Sequence, residues 1–416
     1  MRIGIVADDL TGAADSVAPF AERAYRSLVD VRERDTDSVM ELSNAFPRGC
    51  DNRDQAVSLP TFTRDRPHLK ETLRGSIVRR ATRRVQRFHA DLIYKKIDST
   101  LRGYLRLELD AMLRELPGRL PVLCPAFPAN GRLVEDNFLF VHGERQPRTL
   151  PEAFEITSEE SLDCRHLTLA TLRQGDSSVE AAFQDALHAG ARALFCDAVT
   201  QEDLECLARA ILLQPDRYLP VGSAGLSRAL AQHLPPPATP RQVAWEETVF
   251  TAGRVLIVVG SQNPVSRRQA AYLARKAGIT PVIADEAMTQ LDLEAFRRAV
   301  NPFAGGQRIG LFLSPEHASP VWSVRCLPKF LLRIFEVGQP VPQGLILTGG
   351  ETAQIALQKI HALSLEIIGE GQPGVVCGQV AESGQGGFWG NSPLSVILKA
   401  GGFGTDRTLA QLVGLE

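Results

Sequence analysis

Short apolar, β-branched runs separated by longer stretches of helical spacing recur along the whole chain. In the first half the runs are Ile3–Ala7, Leu92–Lys95, Pro121–Pro125, Ala193–Asp197 and Leu219–Gly222. In the second half they are Val255–Gly260, Pro281–Ile283, Ile309–Leu313 and Gly344–Thr348. Ser266–Ala277 and Thr352–Ile360 carry the helical period between them. Runs that are apolar throughout, not alternating, suit strands buried on both faces, as in parallel sheets covered by helices. The pattern breaks at Leu234–Pro240, where four of six positions from Pro235 are proline, a composition that sustains neither helix nor central strand. The expectation is an α/β protein of two domains, each with a largely parallel sheet covered by helices: 1–234, a linker over 235–252, and 253–416. Arg32–Asp54 and Gly143–Leu162 show no period and read as surface loops, with a lid as the alternative.

Composition changes this picture little. The 416 residues are 44% hydrophobic and 23% charged, enough for two cores. With 46 Lys+Arg against 48 Asp+Glu, the net charge of −2 offers no basic footprint for nucleic acid or an anionic membrane. No apolar run approaches the ~18 residues of a transmembrane helix, and the start reaches Asp8 and Asp9 too soon for a signal-peptide core. The seven cysteines are scattered without a C-x-x-C pair and read as reduced, buried thiols, so a cytoplasmic location is expected. No histidine falls in H-E-x-x-H, and metal ligands stay unassigned.

Ligands of open α/β sheets bind beyond the carboxyl ends of the strands, so those positions carry the candidate chemistry. The first strand runs into Ala7-Asp8-Asp9-Leu10-Thr11-Gly12. One acid is enough to cap a helix, and two suggest a polar site whose carboxylates accept from hydroxyl groups or take a proton. Lys95-Lys96-Ile97-Asp98-Ser99-Thr100-Leu101-Arg102-Gly103 follows another run. Its cations and hydroxyls can grip a carboxylate together with several hydroxyl groups. Thr63-Arg64-Asp65-Arg66 and Cys124–Arg132 join turn residues to arginine and resemble ordinary surface turns.

In the second half, glycine-rich turns follow the strands: Gly260-Ser261, Thr348-Gly349-Gly350-Glu351-Thr352, and Lys399-Ala400-Gly401-Gly402. Glycines let backbone N–H groups approach phosphate oxygens, and a helix N-terminus adds a favourable dipole. Walker A spacing is absent, as is a G-x-G-x-x-G after the first strand, which removes the main support for a dinucleotide-dependent dehydrogenase.

Taken in order, these motifs together with Pro125–Arg132 and Gly222–Leu226 resemble the four-carbon acid sugar kinase family, some of whose members carry a type III effector label. The resemblance implies an N-terminal sugar-acid-binding domain and a C-terminal nucleotide-binding domain, with ATP and Mg²⁺ as cofactors. The implied activity is phosphorylation of a terminal hydroxyl on a sugar acid of the D-threonate or D-erythronate type. A 3-oxo-tetronate, a branched 3-oxo-isoapionate, or a non-catalytic binding role on the same fold are the alternatives. Carried over by position, it places substrate contacts at Asp8, Asp9, Arg64, Lys96, Asp98, Ser99 and Arg102. It places the nucleotide at Ser261, Gly349, Gly350, Glu351, Thr352, Gly401 and Gly402. The segment Leu59–Arg64 departs from the family's usual Asp-Thr-x-Ser/Thr-Arg, which keeps the branched substrate open. The partner implied is a small sugar acid, and a homo-oligomer is left open.

Asp9 and Asp98 are the catalytic candidates. Neighbouring cations should hold Asp98 ionised, which suits orienting a hydroxyl better than taking its proton. Adjacent side chains of a strand point opposite ways, so one of Asp8 and Asp9 should face the substrate. Asp9, nearer the turn, is the expected base, with Asp8 bonded to neighbouring backbone.

Overall fold

The computed structural model describes residues 1–32, 54–64, 66, 68–237, 250, 253–291, 303, 306–316, 318, 320–337, 342–383 and 394–415. The chain forms two compact units, Met1–Ser27 with Glu33–Arg241, and Leu28–Arg32 with Gln242–Glu416. Residues 28–32, expected within the first domain, cluster with the second. Most of the expected linker, and of the loop or lid expected at Arg32–Asp54, lies outside the described residues. Every strand expected from the apolar runs is present, its ends displaced by at most one residue.

In chain order the strands begin with β1 (Arg2–Ala7) and β2 (Arg26–Asp30), the last three residues of β2 belonging to the second unit. They continue with β3 (Gln55–Pro60), β4 (Leu92–Lys96), β5 (Leu120–Cys124), β6 (Arg132–Glu135), β7 (Phe138–Val141), β8 (Glu144–Thr149), β9 (Cys164–Leu167), β10 (Ala193–Cys196) and β11 (Tyr218–Gly222). The first unit's main sheet has the order β3-β1-β4-β11-β5-β10-β9 and is parallel throughout. Pro60, Ala7, Lys96, Gly222 and Cys124 stand opposite one another in register, so the segments that follow them leave from one edge. The chain passes to β3 on one side of β1 and to β4 on the other, a topological switch point of the kind that opens a crevice. Helix Leu10–Glu22 packs on Ala224–His233, and Glu71–Arg87 packs on Leu105–Leu113. The 71–87 helix buries Arg74, Val78, Ala81, Thr82 and Val85, one stripe at helical spacing. Val85 lies so close to Gly4 of β1 that a Cβ there would overlap it.

The stretch Gly143–Leu162, expected as a loop, is structured instead. It supplies β8, which closes an antiparallel β6-β7-β8 sheet, and two single-turn helices, Leu150–Ala153 and Ser158–Ser161. Both helices start with capping boxes, Thr149 with Glu152 and Thr157 with Glu160. Hydrophobic periodicity misses such elements because β8 is largely exposed and caps, not buried stripes, define the helices. Asp197, at the end of β10, seats this sheet by accepting from the Asp136 and Asn137 N–H groups.

The second unit holds β12 (Val255–Val259), β13 (Val282–Ile283), β14 (Ile309–Leu313), β15 (Gly344–Thr348), β16 (Ala362–Gln372), β17 (Val375–Ser383) and β18 (Ser395–Lys399). Their order is β13-β14-β12-β15-β18-β17-β16. The first five are parallel and β17 runs antiparallel to both its neighbours. Val31 N–H donates to Leu363 O at 3.1 Å, which ties residues 28–32 into this unit. Leu313, Val259, Thr348 and Lys399 end in one row. One face of the sheet buries Val255, Ile257, Val259, Ile346 and Ile397 with Ala270, Leu273 and Leu409. At about 1.5–3 kcal/mol for each fully buried large aliphatic side chain, such a core fixes where the strand ends sit. The six cysteines among the described residues form no disulfide. No helix among those residues is long and apolar enough to cross a membrane.

Candidate functional site

Chemistry-bearing side chains crowd the carboxyl edge of the first unit's sheet. After β1 the chain reaches Asp8, 2% exposed, whose carboxylate takes both prongs of Arg64: Nε to Oδ2 at 2.7 Å and Nη2 to Oδ1 at 2.5 Å. The third guanidinium nitrogen, Nη1, lies 2.8 Å from Asp9 Oδ2 and 3.6 Å from Asp98 Oδ1. Arg64 therefore gathers all three candidate carboxylates, and its fork is spent on protein groups. Gly103, at φ +106°, lies over this pair, where an added Cβ would stand a tight 3.2 Å from Asp8 Oδ2.

For the two adjacent aspartates, the expected backbone contact falls on the other residue. Asp9, not Asp8, bonds neighbouring backbone: it is the N-cap of helix Leu10–Glu22, Oδ1 accepting from Gly12 N–H at 2.7 Å and Oδ2 from Thr11 Oγ1 at 2.8 Å. The strand ends at Ala7 and the helix begins at Leu10, only two residues intervening, so the cap position falls on Asp9. Gly12 leaves a gap in which an added Cβ would stand 2.5 Å from Asp9 Oδ1 and 3.0 Å from Lys96 Nζ. Lys96 thus comes beside Asp9, and its Nζ also lies 3.5 Å from Asp15 Oδ1.

Asp98 is held by Thr100 N–H and Oγ1, by Arg102 Nε at 3.0 Å and by Arg102 Nη2 at 2.8 Å. Burial pushes its pKa up, but the bonds from Arg102 and Thr100 and the charge of Arg64 prevail and keep it far below the usual carboxylate range. Asp8 follows the same logic: burial raises it, while Arg64, Lys95 and Lys96 together bring it below its ordinary value. Burial tends to lower Arg64, yet the three aspartates hold it well above its ordinary value. Arg102 is the exposed member, with 68% of its side chain open to solvent, and Ser99 is half-buried at the same turn.

Support for this edge comes from residues that spacing did not single out. Lys95 alternates to the other face from Lys96 and donates to Glu108 Oε2 at 2.6 Å, both side chains being buried. Glu108 Oε1 accepts from Thr63 Oγ1, which also meets Thr61 Oγ1 at 2.8 Å. Arg74, wholly buried against the Tyr104 ring, donates to the carbonyls of Thr63, Arg66 and Leu69. This chain of contacts fixes the segment that presents Arg64. A lone acid on a buried helical stripe was the available signal for Glu108, whereas Arg74 sits among so many arginines that sequence offers none. Arg132 faces His142 Nε2 at 3.0 Å and lies within electrostatic reach of Asp98.

The second unit's carboxyl edge is built from backbone. Ser261 lies at its centre: its N–H donates to Thr348 O at 3.3 Å, and Gly401 comes so close that a Cβ there would overlap Ser261 Oγ. A Cβ on Gly349 would stand 3.3 Å from that of Ser261, and one on Gly402 would stand 3.1 Å from Asn263 Nδ2. Gly349, at φ +99°, precedes helix Gly350–Lys359 and donates to Lys399 O at 3.0 Å. Thr352 is buried against Gly260, while Gly350 is half-buried and Glu351 exposed. The structure therefore brings Ser261, Gly349, Gly350, Thr352, Gly401 and Gly402 to one edge. The N–H groups of Gly401 and Gly402 find no acceptor among the described residues. Free amides beside a helix N-terminus form an anion-binding concavity.

Residues 3–230 match the family model for a sugar-binding N-terminal domain, and 325–409 match that for a nucleotide-binding C-terminal domain. The chain is 31% identical to a D-threonate kinase of Cupriavidus necator, with 97% of this chain and 95% of that protein covered. It is 30% identical to a D-threonate kinase of Bordetella bronchiseptica, at 98% and 95% coverage. A D-erythronate kinase of Heliobacterium modesticaldum is 31% identical over 64% of this chain and 59% of that protein. Among solved structures, a putative tRNA synthase from Salmonella typhimurium LT2 superposes with a TM-score of 0.73 at 21% identity, covering 100% of this chain and 99% of that one, a likeness of fold. With both domain models matched in order and curated kinases similar over nearly its full length, the chain belongs to the four-carbon acid sugar kinase family.

Proposed function

We propose that this kinase transfers the γ-phosphoryl group of ATP to a terminal hydroxyl of a four-carbon sugar acid, with D-threonate the leading substrate. The observation that carries the reading is the closed cluster of Arg64 with Asp8, Asp9 and Asp98 at a switch-point edge. Three carboxylates held together by one cation form a set of hydroxyl acceptors, which suits a polyhydroxylated ligand. Since Arg64 is occupied, the substrate's own carboxylate falls to Lys96, Ser99 and Arg102. Arg64 then acts by fixing the aspartates, a narrower role than the direct contact the sequence suggested.

Phosphoryl transfer asks mainly for position and charge neutralisation. Asp8 is clamped by both prongs of Arg64, and Asp98 is held as a firm anion by Arg102 and Thr100, which suits orienting a hydroxyl. Asp9 is held by one hydroxyl, one N–H and a single arginine nitrogen, beside Lys96, and is the group assigned to take the hydroxyl proton. In the second unit Ser261, the Gly349–Thr352 turn and Gly401–Gly402 would cradle the ATP phosphates. Mg²⁺ carried on those phosphates supplies further charge neutralisation. Among the described residues no group of three His, Cys, Asp or Glu is arranged to hold a metal ion by itself, and a nucleotide-borne Mg²⁺ needs only one or two protein carboxylates.

An ADP-release assay over D-threonate, D-erythronate, a 3-oxo-tetronate and a branched 3-oxo acid tests the reading. Turnover of D-threonate with the highest kcat/KM is expected. A clear preference for a 3-oxo or branched acid would replace the substrate while keeping the reaction, and no turnover of any would overturn the proposal.

A further inference from the structure

Among the described residues Lys95, Lys96 and Lys399 are the buried lysines. Lys95 faces Glu108 at 2.6 Å and Lys96 faces Asp15 at 3.5 Å. Lys399, at the end of β18, has no carboxylate opposite it among the described residues, and its Nζ donates to the Ala400 carbonyl at 2.9 Å. An ammonium buried without a counter-charge is costly, and burial lowers the Lys399 pKa to about 8. A group left in that condition is explained by an anion that arrives.

Its surroundings point the same way. Lys399 stands in register with Thr348, the residue before Gly349, and with Val375 of β17. The turn after it is tied down by its carbonyls and by three of its N–H groups, Ala400 N–H donating to Gly374 O at 2.8 Å, Phe403 N–H to Ala400 O at 3.3 Å and Thr405 N–H to Thr408 Oγ1 at 2.9 Å. Ala400 O takes the Lys399 ammonium, Gly401 O takes Ser266 Oγ at 2.6 Å, and Gln269 Nε2 reaches Phe403 O at 3.0 Å and Thr405 O at 2.8 Å. With carbonyls fastened from below, the Gly401 and Gly402 amides are left for a ligand. Two further buried polar atoms, Thr348 Oγ1 and Gln269 Oε1, lack a partner, a rare condition in a finished core. The side chains named around Lys399 from β15, β17 and helix Pro264–Ala277 are Thr348, Val375, Ser266 and Gln269, none of them ionisable. Of the charged groups on the adjoining elements, Glu370 accepts from the Gly374 N–H and Arg268 pairs with Asp406 in an exposed contact.

We propose that Lys399 is a positioning and charge-complementing residue of the nucleotide site, holding the Gly401–Gly402 turn from beneath and offsetting the charge of the phosphates bound there. The inference rests on the reading that the glycine turns hold ATP. Being buried, the side chain works through the turn and the local field, as a compact point charge can.

Calorimetric binding of ADP and of adenosine to the full chain tests it, with Lys399→Met as the uncharged variant of similar length. Lys399→Met is expected to weaken ADP roughly tenfold or more and to leave adenosine and the sugar-acid KM within about twofold. Its melting temperature should not fall, because the burial cost of the charge is gone. At pH 8.5, ADP binding to the wild type should take up protons, as phosphates restore the charge on Lys399, whereas Lys399→Met should take up fewer. Unchanged ADP affinity, parallel losses for ADP and adenosine, or equal proton uptake in both proteins would each overturn the assignment. Failure of the wild type to bind ADP at all would overturn the nucleotide reading, and this inference with it.

Discussion

Both units place their candidate chemistry at the carboxyl ends of parallel strands, yet they use opposite materials. At the first edge side chains dominate: Arg64, Asp8, Asp9, Asp98 and Arg102 form a closed set of ion pairs, backed by the buried Lys95–Glu108 pair. At the second edge side chains retreat, glycines bring three turns together, and the amides are the exposed chemistry. The difference matches the two ligands. A sugar acid differs from its epimers only in where hydroxyls point, so it needs fixed acceptors in three dimensions. Polyphosphate is recognised largely as charge, which backbone amides and one cation can satisfy. If that is the lesson, substitutions at the first edge should damage stability and the chemical step, and those at the second should move nucleotide affinity alone.

The largest effect is expected from Glu108→Leu. It leaves the Lys95 ammonium buried without its partner and takes the acceptor from Thr63. Breaking a buried pair from one side costs about 3–5 kcal/mol, measurable as a lower urea midpoint for the first unfolding transition, with ADP affinity unchanged. A midpoint shift below about 1 kcal/mol would show that the side-chain scaffold is not what holds the first edge.

Asp9→Asn comes next and is the cleaner probe, because Asn caps a helix about as well as Asp and so removes charge while keeping structure. A fall in kcat of roughly a hundredfold or more is expected, with stability and the KM for ATP little altered. Full activity of Asp9→Asn beside an inactive Asp8→Asn or Asp98→Asn would move the base to another carboxylate.

That assignment shows where sequence reading reached and where it stopped. The strand ends were legible, because a strand buried on both faces is apolar along its length and stops where polar residues begin, as at Ala7-Asp8. Which of two neighbouring acids faces what was not, since it turns on a single residue of phase between the strand end and the helix N-cap. Lys95 and Lys96 look alike in sequence, and alternation alone sends one to Glu108 and the other toward Asp9. The β16–β17 hairpin escaped because its residues are too mixed for a continuous apolar run, as are those of β6 and β8 on either side of the short apolar β7. The convergence of Gly260-Ser261, Gly349 and Gly401 depends on strand order β12-β15-β18, a long-range fact with no local signature.

Gly349→Val probes that convergence. The residue sits at φ +99°, where an L side chain is strained by about 1–3 kcal/mol, and its Cβ would press on Ser261 at 3.3 Å. The KM for ATP should rise roughly tenfold or more, while the sugar-acid KM stays within about twofold. Equal increases in both would erase the contrast between the two edges.

The smallest effect, nearly none, is expected from mild acid at the first edge. Asp8 and Asp98 both have pKa values lowered by their cationic partners. A carboxylate depressed in the folded state lends stability that is fully present above its unfolded value, near 3.8, and is lost only as pH falls through its lower folded value. From pH 7 to 5 both groups therefore remain ionised, Arg64 keeps its partners, and these two acids add no acid limb to the sugar-acid KM. Lys399 behaves in the opposite sense. Its pKa of about 8 lies below the ordinary lysine value, so its charge is present at pH 7 and fades as pH rises through 8. Steady-state KM values for both substrates from pH 5 to 9 would display the contrast: flat for the sugar acid on the acid side, rising for ATP by roughly threefold between pH 7 and 8.5 if only the charged lysine assists. A sugar-acid KM that climbed more than about threefold by pH 5 would mean that a carboxylate at the first edge titrates there, and that Arg64 does not close the cluster as its geometry indicates.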